Sequence, residues 1–337
     1  MNFVSVGDLS RFFTMRRANA GLRTDIQRLS KEVTTGIRAD VPRHLNGDLL
    51  DLSRLERGIR EADAYRRTTR EAAVTASGMQ AALGTVQDIA DMSSASMLSD
   101  TSLAVEHTLL LVASVTDGRL GSAISALNAN VGGRFVLSGT RTNSPPLISA
   151  DELVGHAQSV IAGAASADEA IQRLQDWFDA APGAGGFSDT AYRGSLDGGS
   201  QFGIDASNAI RFEQTANDPG VRNALLGLTM GALVSRGAFS GDQESQAAMM
   251  RAGGAELLKG NSQLTLARSD LGSNEQSIER ASVRLESLAT NLHIERNNLI
   301  SADTYESGSQ LVQAEATLEA LYAMTARLSN LSLAKYL

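Results

Sequence analysis

The chain has 337 residues, 42% of them apolar and 20% charged, which is enough apolar material for two or more cores and excludes a disordered polymer. A formal net charge of -8 at pH 7 argues against a nucleic-acid footprint, and the absence of cysteine excludes disulfides and thiolate metal sites. Aromatics at 4% and only five prolines favour long helices over a sandwich.

Residues 1 to 8 lack the basic and apolar regions of a cleaved secretory signal, so none is expected. No window approaches about eighteen uninterrupted apolar residues, so no membrane span is expected either. From residue 8 to 35, Met15, Asn19, Leu22, Ile26, Leu29 and Val33 step by four and three, which predicts one helix face, and Gly36 is its stop. The loop at 37 to 47 holds Pro42 and Asn46-Gly47. A second helix is predicted over 48 to 92, with the stripe Leu52, Leu55, Ile59, Ala62, Arg66, Thr69, Ala73 and Ala76 continuing through Met79, Leu83, Val86 and Ile89. Such a rod is roughly 65 Å long. The arginines between 54 and 70 read as a solvated face.

A third helix is predicted over 102 to 130 around Leu109-Leu110-Leu111-Val112. The glycine-bounded stretch from Gly132 to Thr140 reads as extended, and Pro145-Pro146 closes it. Residues 147 to 218 differ in composition. Two helices are predicted there, 150 to 161 and 166 to 180, then a linker at Gly183, Gly185 and Gly186, then strands at 190 to 193, 202 to 205 and 209 to 214. The segment reads as a small inserted α+β domain. Asp218-Pro219 opens a helix to residue 234, since proline is tolerated at a first helical position, and another helix from 245 to 259 leads into the last rod.

In that rod Leu271, Ile278, Leu285, Leu292 and Leu299 recur every seven residues, with Ala281, Leu288 and Ala302 between them, which predicts a coiled-coil core. The stripe is expected to run unbroken to Ser307-Gly308-Ser309. A second stripe follows at Leu311, Ala314, Leu318, Leu321, Thr325, Leu328 and Leu331. Burying its leucines gains about 1.5 to 3 kcal/mol each, while ordering the backbone costs about 1 to 2 kcal/mol per residue. The C-terminal helix therefore needs a partner strip, and the N-terminal face supplies one. The fold expected is mainly α, long antiparallel rods or a coiled-coil bundle built from both ends of the chain. Its parts are a terminal assembly helix (1–45), a rod (46–146), the insert (147–218), the returning rod (219–304) and a C-terminal assembly helix (305–337). Leu22, Ile26, Leu29, Leu311, Leu318, Leu321, Leu328 and Leu331 are the candidate assembly seam.

Little in the sequence points to chemistry. His44, His107, His156 and His293 are scattered, and His293 and Glu295 fall on different faces of a helix. No nucleophile elbow, phosphate loop or zinc-protease motif occurs. No catalytic, cofactor or metal residue is expected.

Four stretches resemble the bacterial flagellin family, and within it the proteins of the hook-filament junction. They are Leu29-Ser30-Lys31-Glu32-Val33-Thr34-Thr35-Gly36, Gly132-Gly133-Arg134-Phe135-Val136-Leu137-Ser138-Gly139-Thr140, Ala267-Arg268-Ser269-Asp270-Leu271-Gly272, and the ending Leu328-Ser329-Asn330-Leu331-Ser332-Leu333-Ala334-Lys335-Tyr336-Leu337. The loop Val41-Pro42-Arg43-His44-Leu45 is shorter than the family's. The resemblance implies a structural, non-enzymatic component of the extracellular flagellum, exported unfolded by the type III apparatus with the help of a chaperone. It implies assembly as a ring of about eleven copies between an adjacent hook-associated protein and flagellin. A filament flagellin is the nearest alternative, a cytoplasmic coiled-coil scaffold is the alternative of another class, and neither a nucleic acid nor a membrane is an expected partner.

Overall fold

The computed structural model describes residues 6–99 and 106–334, with side chains at 10, 13–99 and 107–327. Among the described residues the chain forms ten helices and two short antiparallel hairpins, a mainly α fold. The residues group into two compact units, one of Met1–Asp63 with Glu286–Leu337 and one of Ala64–Leu285.

In the terminal unit, α1 (Val6–Thr35) ends where expected. Gly36 takes φ +67°, which only glycine adopts without cost, and its N–H donates to the Glu32 carbonyl at 2.8 Å. The loop behind it holds α2 (Val41–His44), a single turn opened by the Asp40 carboxylate accepting from the Arg43 N–H at 3.1 Å. Helix α3 (Leu50–Ser99) and the long helix α9 (Gln243–Ile300) each begin or end in this unit. Here Gly58 leaves room for Leu292, whose Cδ1 lies 3.3 Å from where a Cβ would stand. The last helix, α10 (Thr304–Ala334), packs against α1 in the opposite direction, Tyr322 lying beside Arg23 and Ser307 beside Glu32.

The second unit holds the main core. Helix α4 (Glu106–Leu127) leads into the hairpin β1 (Asn130–Val131) and β2 (Arg134–Phe135), turned by Gly132 and Gly133 at φ +59° and +85°, the conformation such two-residue turns demand. Gly78 on α3 receives this hairpin, since a Cβ there would stand 2.7 Å from Val131 Cγ2. Helices α5 (Ala150–Ile161) and α6 (Ala167–Asp179) start where expected, because Ser149 and Ser166 accept from the N–H groups of Glu152 and Glu169. Then come α7 (Phe187–Thr190) and the hairpin of β3 (Gln201–Gly203) with β4 (Ala209–Arg211). Leu153, Phe178, Phe187, Phe212 and their neighbours share one buried cluster with residues of α3, α4, α8 and α9.

Helix α8 (Pro219–Ser235) is buried on nearly every side. It lies close to α9 because glycines face one another. A Cβ on Gly227 would stand 2.5 Å from the Gly253 carbonyl oxygen, and one on Gly260 would stand 2.8 Å from Ala224 N.

Several expectations need correction. The region 245 to 259 is not a separate helix but the start of α9, and glycines 253, 254 and 260 are packing positions within it. The strand expected at 190 to 193 is α7 followed by one bridge, Tyr192 to Leu147. Gly183 and Gly185 there donate to the Asp189 carboxylate at 2.9 and 2.8 Å, so the glycine segment is a capped turn rather than a slack linker, and the bonds hold that carboxyl below its usual range. On α3 the buried residue is Ala72, not Ala73, which is exposed. On α9 Leu288 is 47% exposed and Ala289 is buried. Both shifts have one origin, since a straight helix drifts by about 20° per heptad from a strict seven-residue repeat.

Candidate assembly surface

At the C-terminal end of α9 the chain breaks at residues 301–303, not at Ser307-Gly308-Ser309, which lies inside α10. The cause is Asp303. Its carboxylate accepts from the N–H groups of Tyr305 at 2.9 Å and Glu306 at 3.1 Å and so starts a new helix. Opposite this break the chain leaving α1 makes a bridge between Ile37 and Ser301, with Arg38 N donating to Ile300 O and Ala302 N to Gly36 O, both at 2.9 Å. The base of the α1 and α10 pair is thus tied by backbone.

Above the base, the two predicted stripes face one another. Leu29 is buried, while Leu22, Ile26, Leu311, Leu318 and Leu321 are only half-buried. Two helices cannot enclose two apolar stripes by themselves, so each stripe keeps an open flank. The side chains of Leu328 and Leu331 lie outside the described residues. On the outer faces of α10, Val312 and Met324 are 66% and 59% exposed. Further along the pair, Met15, Arg16, Asn19, Ala20, Arg23, Leu321, Tyr322 and Thr325 line a shallow groove of about 490 Å³. Arg23 Nη2 donates to the Tyr322 hydroxyl at 2.9 Å, and with Asn19 it holds that phenol below its usual range.

The predicted rod core divides. Leu271, Ile278, Leu285 and Ala281 are buried in the second unit, while Leu292 and Leu299 are half-buried in the terminal one. Ala302 is buried against the bridge rather than in a helical stripe.

The sequence stripes missed a polar cluster. Val33, expected on the inner face of α1, is 36% exposed, and Glu32 is buried in its stead at 2%. The Glu32 carboxylate accepts from Ala39 N at 3.1 Å and from the Ser307 hydroxyl at 3.3 Å, and it pairs with Arg28 at 3.4 Å and Arg38 at 3.5 Å. A buried charge persists only when surrounded in this way. Its partners lie 4 to 275 residues away in sequence, so helical spacing alone could not expose the cluster. The one local signal was Ser307, small and polar at a position where the stripe seemed to pause.

The histidines do not converge. His44 lies on α2, His107 on α4 and His293 on α9, and His156 on α5 stacks on Trp177 with ring centroids 6.4 Å apart. Among the described residues, no group of three or more His, Asp or Glu side chains could hold a metal ion.

Residues 259–337 match the family model of the bacterial flagellin C-terminal helical region. No curated protein matches the chain. A solved structure of a candidate flagellar hook-associated protein from Vibrio parahaemolyticus is similar with a TM-score of 0.41 and 14% identity, over 71% of this chain and 95% of that one. At that level nothing known of that protein is carried across.

Proposed function

We propose that the chain, whose residues 259–337 match the bacterial flagellin C-terminal helical region, is a flagellin-family junction subunit joining hook to filament. It acts as a structural piece of the extracellular flagellum, exported unfolded and polymerised through α1 and α10, with no catalytic step. Its neighbours are further copies of itself in a ring, an adjacent hook-associated protein on one side and flagellin on the other, with an export chaperone before assembly. The observation that carries the reading is the open flank of both terminal stripes. Leu22, Ile26, Leu311, Leu318 and Leu321 stay half-buried although α1 and α10 already pair. Apolar strips of that length are covered by something, and the family's mode of assembly supplies neighbouring copies.

The test is a strain lacking this chain. It should build hooks without filaments and release flagellin into the medium, and restoring the chain should restore filaments. Normal filaments in the deletion strain would overturn the proposal.

A further inference from the structure

Between Leu22 and Leu29 on α1 and between Leu311 and Leu321 on α10 the stripes are leucine, isoleucine and alanine, and such a pattern looks much the same after one helix slides past the other by a turn. Backbone bonds at Gly36, Arg38 and Ala302 tie the base of the pair, and the side chains above it hold the two helices in one setting along their length. What distinguishes one setting from the next is polar. Among the described residues Glu32 is the single charged side chain buried on the inner face of α1, and Ser307, 1% exposed, is the buried polar side chain opposite it on α10. A slip by one turn would set Glu32 against Leu311 and strand its carboxylate without the Ser307 hydroxyl. A buried polar residue in an otherwise apolar helical seam is the best-attested device for fixing register.

We infer that Glu32 is a positioning residue: held by Arg28, Arg38, Ala39 and Ser307, it fixes the register of α1 against α10 and thereby shapes the face on which further copies assemble. The last clause rests on the proposed assembly role; the register itself does not.

The chain has no cysteine, which makes the register directly readable by cross-linking. A Cβ on Gly308 would have Val33 Cγ2 as its nearest neighbour, at 4.0 Å, so Val33→Cys with Gly308→Cys sets two thiols side by side in the observed register and reports it. Val33→Cys with Val312→Cys reports a slip of one turn. In the isolated chain with Glu32 in place, the 33–308 disulfide should form at least tenfold more than 33–312. With Glu32→Ala or the isosteric Glu32→Gln, the 33–308 yield should fall at least threefold and 33–312 should rise to match it. An unchanged distribution in both variants, at unchanged helix content, would overturn the inference. As a second arm, Glu32→Ala should assemble poorly when reduced and recover once the 33–308 disulfide has closed. Failure to recover with the lock closed would also count against the positioning role. Should the chain carrying Glu32 itself not polymerise, the assembly proposal fails, and the cross-link distribution still decides the register.

Discussion

Replacing Leu321 with aspartate separates the stability of the subunit from its ability to assemble. In the single chain Leu321 is half-buried and lines a groove that also holds Arg16 and Arg23. Losing half of a leucine's burial costs about 1 kcal/mol, and two nearby guanidinium groups partly accommodate the new carboxylate, so the isolated subunit should stay folded. At a contact closed by a neighbouring copy, water is excluded and the carboxylate loses its hydration, at a cost of about 3 kcal/mol or more per contact. That is a loss of roughly a hundredfold in each association step. Circular dichroism and urea denaturation should therefore show a nearly native monomer, while electron microscopy shows hooks without filaments and the medium contains released flagellin. Leu318→Asp, at a half-buried position outside the groove, should behave alike without help from the arginines. Normal filaments in both strains would refute the reasoning, and so would a variant monomer that fails to fold, since the defect would then lie within the subunit.

Other outcomes follow from the second unit. Gly227→Ala should lower stability by about 2 to 4 kcal/mol in urea, because its Cβ meets the Gly253 carbonyl at 2.5 Å and Leu257 Cγ at 2.6 Å. Gly84→Ala, whose Cβ would find only ordinary contact with Arg268 at 3.5 Å, should be neutral or slightly stabilising. Burial raises the Asp218 carboxyl above its ordinary value of 3.8, with the Thr215 hydroxyl only partly opposing the shift. The folded state therefore holds that proton more tightly than the unfolded chain, so the contribution is favourable below pH 3.8 and is lost as pH rises through the folded value. Asp218→Asn should accordingly be more stable than the parent at pH 7 and lose that advantage below pH 3.8, which urea midpoints at the two pH values would check. Amide exchange should show α8 slow in both the free and the assembled subunit, with α1 and α10 gaining protection on assembly; equal protection of α1 and α10 in both states would argue against their role as the assembling face.

What the sequence revealed and what it hid divide along physical lines. Local signals were legible. Ser149 with Glu152 and Ser166 with Glu169 set the starts of α5 and α6, Pro219 set the start of α8, and Gly36 fixed a stop, whereas the stretch from Gly132 to Thr140, which reads as extended, holds a hairpin turn at Gly132 and Gly133 and further turns behind it. Periodicity gave the long helices but misplaced individual residues. Leu288 and Ala73 were drawn inward by a strict repeat that a straight helix does not keep. The break between α9 and α10 was read from Ser307-Gly308-Ser309, because small residues suggest an interruption, whereas Asp303 made it by capping. Glu32 was hidden for a different reason. A charged residue on an apolar face is normally taken as solvated, and only contacts from Arg38 and from distant Ser307 reveal why it is buried. The open flanks of the seam were likewise invisible in the sequence, since an apolar stripe does not say how many neighbours will cover it.

The central claim, that this chain is a junction piece and not filament bulk, is tested most directly by where it sits on an intact flagellum. The protein carrying a small exposed epitope in the loop at residues 205–208 should be labelled by gold on purified flagella. A narrow band of label at the boundary between hook and filament is the predicted result. Label spread along the filament, or confined to the cell body with none on the flagellum, would contradict the account.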